Sequence, residues 1–106
     1  MTDQARPTRQ RPPVLVVDDE PSMRQFLSVM LKKEGCAIET ADSAEAAIGL
    51  LNEGARFSMI LTDLKMPGPL GGIDVLKHAR SLDPACQVVV MTAFASAETA
   101  RRSISS

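Results

Sequence analysis

One stretch constrains the fold of this chain more than any other: Leu61-Thr62-Asp63-Leu64-Lys65-Met66-Pro67-Gly68. An apolar run beginning at Phe57 delivers a single carboxylate, Asp63, and Pro67 and Gly68 then stop any regular element from continuing. A charged group at the carboxyl end of a buried strand is how an open α/β sheet presents chemistry in its ligand crevice. Two further runs end in the same manner. Val14-Leu15-Val16-Val17 closes on Asp18 and Asp19, and Val88-Val89-Val90-Met91 closes on Thr92. Three strands therefore converge to place Asp18, Asp19, Asp63 and Thr92 around one small site.

The remainder of the chain supports that geometry. Val14 to Val17 is continuously apolar and mostly β-branched, as expected of a strand buried on both faces of a parallel sheet. Pro21 suits the first turn of a helix, where its lack of an N–H does no harm. Met23, Phe26, Leu27, Met30 and Leu31 recur at helical spacing and define that helix's apolar face, with Arg24, Gln25, Lys32 and Lys33 off it; Gly35 fits a left-handed cap. A short alternating strand is expected over Cys36 to Thr40. Asp42-x-x-Glu45 has the form of a capping box opening a second helix, whose apolar face is Ala44, Ala47, Ile48 and Leu51. Phe57 to Thr62 is the third strand. Ile73, Val75, Leu76 and Ala79 mark a third helix halted near Asp83-Pro84. Cys86 to Thr92 is the fourth strand, and Ser96 is placed to cap a fourth helix through Ala100. Connections of this length between parallel strands require crossover helices, so the βαβαβαβα order predicts a doubly wound parallel sheet.

With 106 residues the chain holds one domain. Residues 1–13 are rich in Pro and Arg and poor in apolar side chains, and read as a disordered leader before a domain over 14–106. That leader has no apolar signal core, which points to a cytoplasmic protein. No apolar run approaches the ~20 residues of a spanning helix, so no membrane role is expected. A net charge of −1 gives no bulk electrostatic reason to bind nucleic acid. Cys36 and Cys86 lack metal-site spacing and read as buried free thiols.

Clustered carboxylates repel one another unless a cation neutralises them. Oxygen-only ligands select a hard ion, and Mg2+ takes one or two carboxylates together with waters and a phosphate. Asp18, Asp19 and Asp63 thus have the make-up of a Mg2+ site open to a phosphoryl group, with Asp63, alone at its strand end, as the nucleophile. Thr92 offers a hydroxyl to a phosphoryl oxygen. Each piece alone has a plainer reading. Asp18-Asp19-Glu20 before Pro21 is also favourable charge at a helix N-terminus, an Asp after a strand is also a turn residue, and Thr92 is also a β-former.

In combination, Val14-Leu15-Val16-Val17-Asp18-Asp19-Glu20, Leu61 to Gly68, and Val88-Val89-Val90-Met91-Thr92-Ala93 resemble the receiver (CheY-like) domain of bacterial two-component response regulators. The resemblance spans about residues 14–100 and implies a flavodoxin-like sheet of strand order 2-1-3-4. It implies Asp63 as phosphoacceptor, Asp19 as a direct Mg2+ ligand, Asp18 acting partly through water, and the backbone carbonyl of Lys65 as a further ligand. It makes Thr92 the switch hydroxyl and the phosphohistidine of a sensor histidine kinase the donor; the domain is phosphorylated once rather than acting as a turnover enzyme. His78 has no such role and reads as a surface residue. Ser22 to Leu27 and Met91 to Ala100 are similar to receivers of NtrC-like, sigma-54-dependent activators, the PilR type especially, implying a longer parent that regulates transcription.

The family also uses a fifth strand bearing a phosphoryl-binding Lys, which would fall beyond Ser106, so the resemblance implies a C-terminally truncated receiver. On that expectation strand four becomes an apolar edge, which invites pairing with another chain. A homodimer along the strand-four edge, or by exchange of elements, is the expected partner arrangement, and a phosphorylation-impaired dimerisation or docking module is the alternative function. A phosphatase or phosphotransferase with an aspartyl-phosphate intermediate is a third reading. Such enzymes carry a second acid two residues after the nucleophile, where this chain has Lys65.

Overall fold

The computed structural model describes residues 12–91. They form β1 (Val14–Val17), α1 (Pro21–Lys33), β2 (Ile38–Ala41), α2 (Ala44–Asn52), β3 (Met59–Asp63), α3 (Gly72–Leu82) and β4 (Gln87–Met91). The four strands make one parallel sheet in the order β2-β1-β3-β4. From β1 the chain moves outward to β2, then returns past β1 to β3 and continues to β4. Right-handed crossovers therefore set α1 on one face and α2 and α3 on the other. The reversal falls between β1 and β3, and the crevice of an open α/β sheet opens at that point.

The face under α2 and α3 carries the core. Leu15, Val17 and Ile60 of the sheet cluster with Ala44, Ala47, Leu51, Val75 and Ala79 of the two helices, and Phe57 and Cys86 close the cluster. All four β1 residues are buried, as their unbroken apolarity predicts. Small residues at Ala44, Ala47 and Ala79 let the helix backbones lie close to the strands. Asn52 of α2 and His78 of α3 meet at 2.7 Å on the outer side of the helix pair.

The element bounds differ from the sequence expectation for local reasons. The strand expected from Cys36 begins at Ile38, because the Cys36 N–H is spent on Leu31 O, finishing α1. Gly35, at φ +88°, supplies the left-handed residue on which that reversal turns. The third strand begins at Met59 rather than Phe57, since Met59 is the residue that pairs with Val14 at the start of β1. The Ser58 N–H just ahead of it is given to Pro13 O at 3.0 Å, so Pro13 is tied to the sheet although composition assigns it to the leader. The cap of α2 is Ser43 rather than Asp42: its Oγ accepts the Ala46 N–H at 3.0 Å. Residues 1–11 of the expected leader, Thr92, and the helix expected from Ser96 lie outside the described residues.

The largest departure is α1, in which no residue is buried. Leu27 and Leu31 are half-buried, together with Arg24 and Ser28. Met23, Phe26 and Met30, assigned to the apolar face, are 42%, 58% and 48% exposed. Among the strands α1 packs on β1 and β2, a support narrower than its apolar arc. Hydrophobic periodicity locates such an arc without saying how much of it is covered. Ile60→Ala is therefore expected to cost about 2–5 kcal/mol, whereas Phe26→Ser stays within about 0.5 kcal/mol, both read from urea denaturation.

Candidate functional site

In parallel register Val17 lies beside Thr62, so the next residues along, Asp18 and Asp63, emerge side by side where β1 and β3 end. Neighbouring strands are about 4.8 Å apart. The ladder itself thus dictates the approach of two acids, and Asp19 adds a third from the turn into α1. Carboxylate oxygens of Asp18, Asp19 and Asp63 all lie within 4.8 Å of one another. Asp18 and Asp63 are 5% and 8% exposed, while Asp19 is open to solvent.

Asp18 and Asp63 are held by backbone. The Asp18 N–H continues the β1–β2 ladder to Ala41 O at 3.1 Å, and Asp18 Oδ1 accepts the Glu20 N–H at 2.9 Å. Arg24, which helical spacing puts off the apolar face, reaches back from α1 and donates from Nη1 to Asp18 O at 2.7 Å. Asp63 is in register with Met91, and the Leu64 N–H beyond it bonds Met91 O. The glycine-rich loop then brings α3 against the same peptide. The Gly72 N–H donates to Leu64 O at 2.9 Å, and a Cβ at Gly72 would collide with the Asp63 carbonyl. Gly71 starts the helix, its N–H given to Asp74 Oδ2 at 2.8 Å. The pair Gly71-Gly72 is visible in sequence as loop composition, but its role as the contact between α3 and the Asp63 peptide is not.

Burial, followed by the charge of Asp18 and then Asp19, pushes the Asp63 carboxyl above its ordinary range; the Leu64 and Lys65 N–H groups oppose the rise. Lys65 thus has its backbone within reach of the Asp63 side chain, as a second contributor from the same loop would. Three oxygen donors, two of them buried, with no nitrogen or sulfur ligand among them, fit a hard divalent cation and suit Mg2+ chemistry. Asp18, Asp19 and Asp63 are thus brought together as the sequence predicts, and Thr92 falls outside the described residues. His78 lies on α3 against Asn52 and takes no part in the cluster. Cys36 and Cys86 are free thiols, Cys86 buried and Cys36 half-buried.

A doubly wound parallel sheet with an acidic cluster at its switch point defines a phosphate- or metal-handling α/β domain. Residues 14–106 match the response regulator receiver domain, and the chain belongs to that family. It is 37% identical over 87 residues to the transcriptional regulatory protein ZraR of Escherichia coli, covering 82% of this chain and 19% of ZraR. It is 34% identical to the response regulator receiver protein CpdR of Brucella abortus, over 77% of this chain and 67% of CpdR. The chain thus spans about a fifth of the length of ZraR. Among solved structures, a response regulator receiver protein from Sinorhizobium medicae superposes with a TM-score of 0.78 at 27% identity, over 88% of this chain and 75% of that one. The response regulator TrrA of Thermotoga maritima, solved in complex with Mg2+–BeF, superposes with a TM-score of 0.72 at 31% identity, over 83% of this chain and 75% of TrrA.

With its carboxyl raised, Asp63 holds its proton to higher pH in the folded protein than in the unfolded chain. The folded state then binds more protons across that window, and metal-free stability falls as pH climbs from about 4 through the raised value. Asp63→Asn is expected to raise the urea midpoint of metal-free protein at neutral pH. The gain should vanish as pH drops below the ordinary carboxylate range, measured by denaturation at a series of pH values.

Proposed function

We propose that this receiver domain takes a phosphoryl group from the phosphohistidine of a sensor histidine kinase onto Asp63, with Mg2+ held by Asp18, Asp19, Asp63 and the Lys65 carbonyl. The carrying observation is the approach of all three carboxylates to within 4.8 Å at the β1/β3 crevice. The Mg2+–BeF complex of TrrA, which shares the fold, supports the choice of ion. When bound, the cation offsets the negative charge of the cluster and draws charge from the phosphoryl oxygens in transfer.

Asp63 does the covalent work. As a carboxylate oxygen forms its bond to phosphorus, the phosphorus–imidazole bond breaks, and the ring leaves neutral with a proton on its other nitrogen. The carboxyl must be ionised to attack, and burial with two neighbouring acids works against that; neutralising the cluster is therefore a condition of the chemistry. The β3 ladder and the Gly72 contact hold the Asp63 backbone still while its side chain reacts. Thr92 supplies the hydroxyl that turns to the phosphoryl group. The domain is modified once per signal rather than turning over. Likeness to ZraR and to the regulatory protein AtoC of Escherichia coli (34% identical over 87 residues) supports a role in regulating transcription, and we read the parent as a cytoplasmic regulator of the NtrC-like, sigma-54-dependent type.

Incubation with acetyl phosphate and Mg2+ is expected to give a single phosphoryl adduct by intact-mass spectrometry, lost in Asp63→Asn and in the presence of EDTA. An unmodified wild-type chain would overturn the reading.

A second reading, a dimerisation module, is favoured by one observation. Among the described residues β4 pairs with β3 alone, and Val89 is 39% exposed. Pairing of two copies along β4 predicts a concentration-dependent dimer by light scattering, weakened by Val89→Lys; a monomer at tens of micromolar counts against it.

A further inference from the structure

The strongest unassigned feature is the side chain of Arg24. It is half-buried on the first turns of α1 and spans six residues to bond a main-chain oxygen, Asp18 O, at 2.7 Å. Its own N–H is anchored to Glu20 O at 3.0 Å. We propose that Arg24 is a positioning residue for the cation site, which fixes the peptide plane joining Asp18 to Asp19; this rests on the Mg2+ reading above.

The physical basis is the rigidity of that plane. The Cα atoms of Asp18 and Asp19 and the carbonyl oxygen between them lie in one planar peptide unit. Clamping the oxygen fixes the direction from which both side chains leave the backbone. The preceding peptide, joining Val17 to Asp18, is held to the strand side, where the Asp18 N–H meets Ala41 O. On the far side the Asp18 carboxylate accepts the Glu20 N–H. Glu20, the N-cap of α1, makes no side-chain cap bond, so capping does not fix where the helix begins relative to β1. The guanidinium supplies that tie from strand end to helix. Without it the Asp18–Asp19 peptide is free to rotate, and two ligands from one turn lose their common aim at Asp63. A residue that supports ligands without touching the metal commonly changes affinity by an order of magnitude.

The test is Mg2+ titration by isothermal calorimetry on the whole chain, with the ion itself as probe and urea stability in EDTA measured alongside. Arg24→Ala is expected to weaken Mg2+ binding roughly tenfold. Arg24→Lys, which keeps a donor able to reach a carbonyl, restores most of the affinity. Phe57→Leu, a core change just before the amino end of β3, opposite the end that carries the acids, lowers stability and leaves affinity unchanged. Unaltered binding by Arg24→Ala overturns the inference. Tighter binding does so as well, because the guanidinium would then act as a competing cation. Equal weakening in Phe57→Leu also overturns it, since general loosening would explain the loss. A wild-type chain that fails to bind Mg2+ removes the metal reading itself, an outcome distinct from intact binding in the variant.

Discussion

The repulsion among three carboxylates at one sheet edge is the constraint to which the rest of this structure answers. In-register pairing of β1 with β3 makes the meeting of Asp18 and Asp63 unavoidable, and the turn into α1 adds Asp19. Two of the three are almost fully covered, so water does little to relieve them. The fold holds them with backbone: Ala41 O on one side, Met91 O on the other, and the Glu20 N–H and Arg24 guanidinium across the turn. The arrangement leaves the electrostatic cost in place for a cation to relieve.

The two faces of the sheet support this arrangement unequally. Under α2 and α3 lies a dense cluster built from Leu15, Val17, Ile60 and small helix residues, sufficient to hold β1 and β3 in register. Over the other face α1 is thinly seated, with a stripe of large apolar side chains turned to solvent. Asp18 and Asp63 share strand parity with Val16 and Leu61, whose alternation places them on the α1 side. Among the described residues the acids therefore emerge on the more lightly covered face, beside α1, and Arg24 of that helix reaches Asp18 O.

The fold and the triad were legible in sequence because each depends on strong, short-range signals. Val14 to Val17 is an unbroken apolar run closed by Asp18, Met59 to Leu61 is one followed by Thr62 and Asp63, and crossover rules then leave little choice of topology. The contacts that set the site's geometry were not legible, and for a common reason. Arg24 sits off the apolar arc by periodicity, so nothing in its spacing shows that it turns back to a carbonyl six residues earlier. Ser43 displaced Asp42 as the cap of α2 by a single position, below what a capping pattern resolves. The exposure of Phe26 depends on what covers α1, which periodicity within the helix does not encode.

The close approach at Gly72 has a mechanical consequence. With no side chain to act as a spacer, the first turn of α3 abuts the carbonyl of Asp63 and is hydrogen-bonded to the peptide that follows it. The 11 residues of α3 form a rod about 16 Å long, pivoted at that point. A tilt of a few degrees at the Asp63 peptide becomes a displacement on the order of 1 Å at Leu82, by the same geometry. The helix is thus a pointer whose bearing lies on the backbone of Asp63 itself.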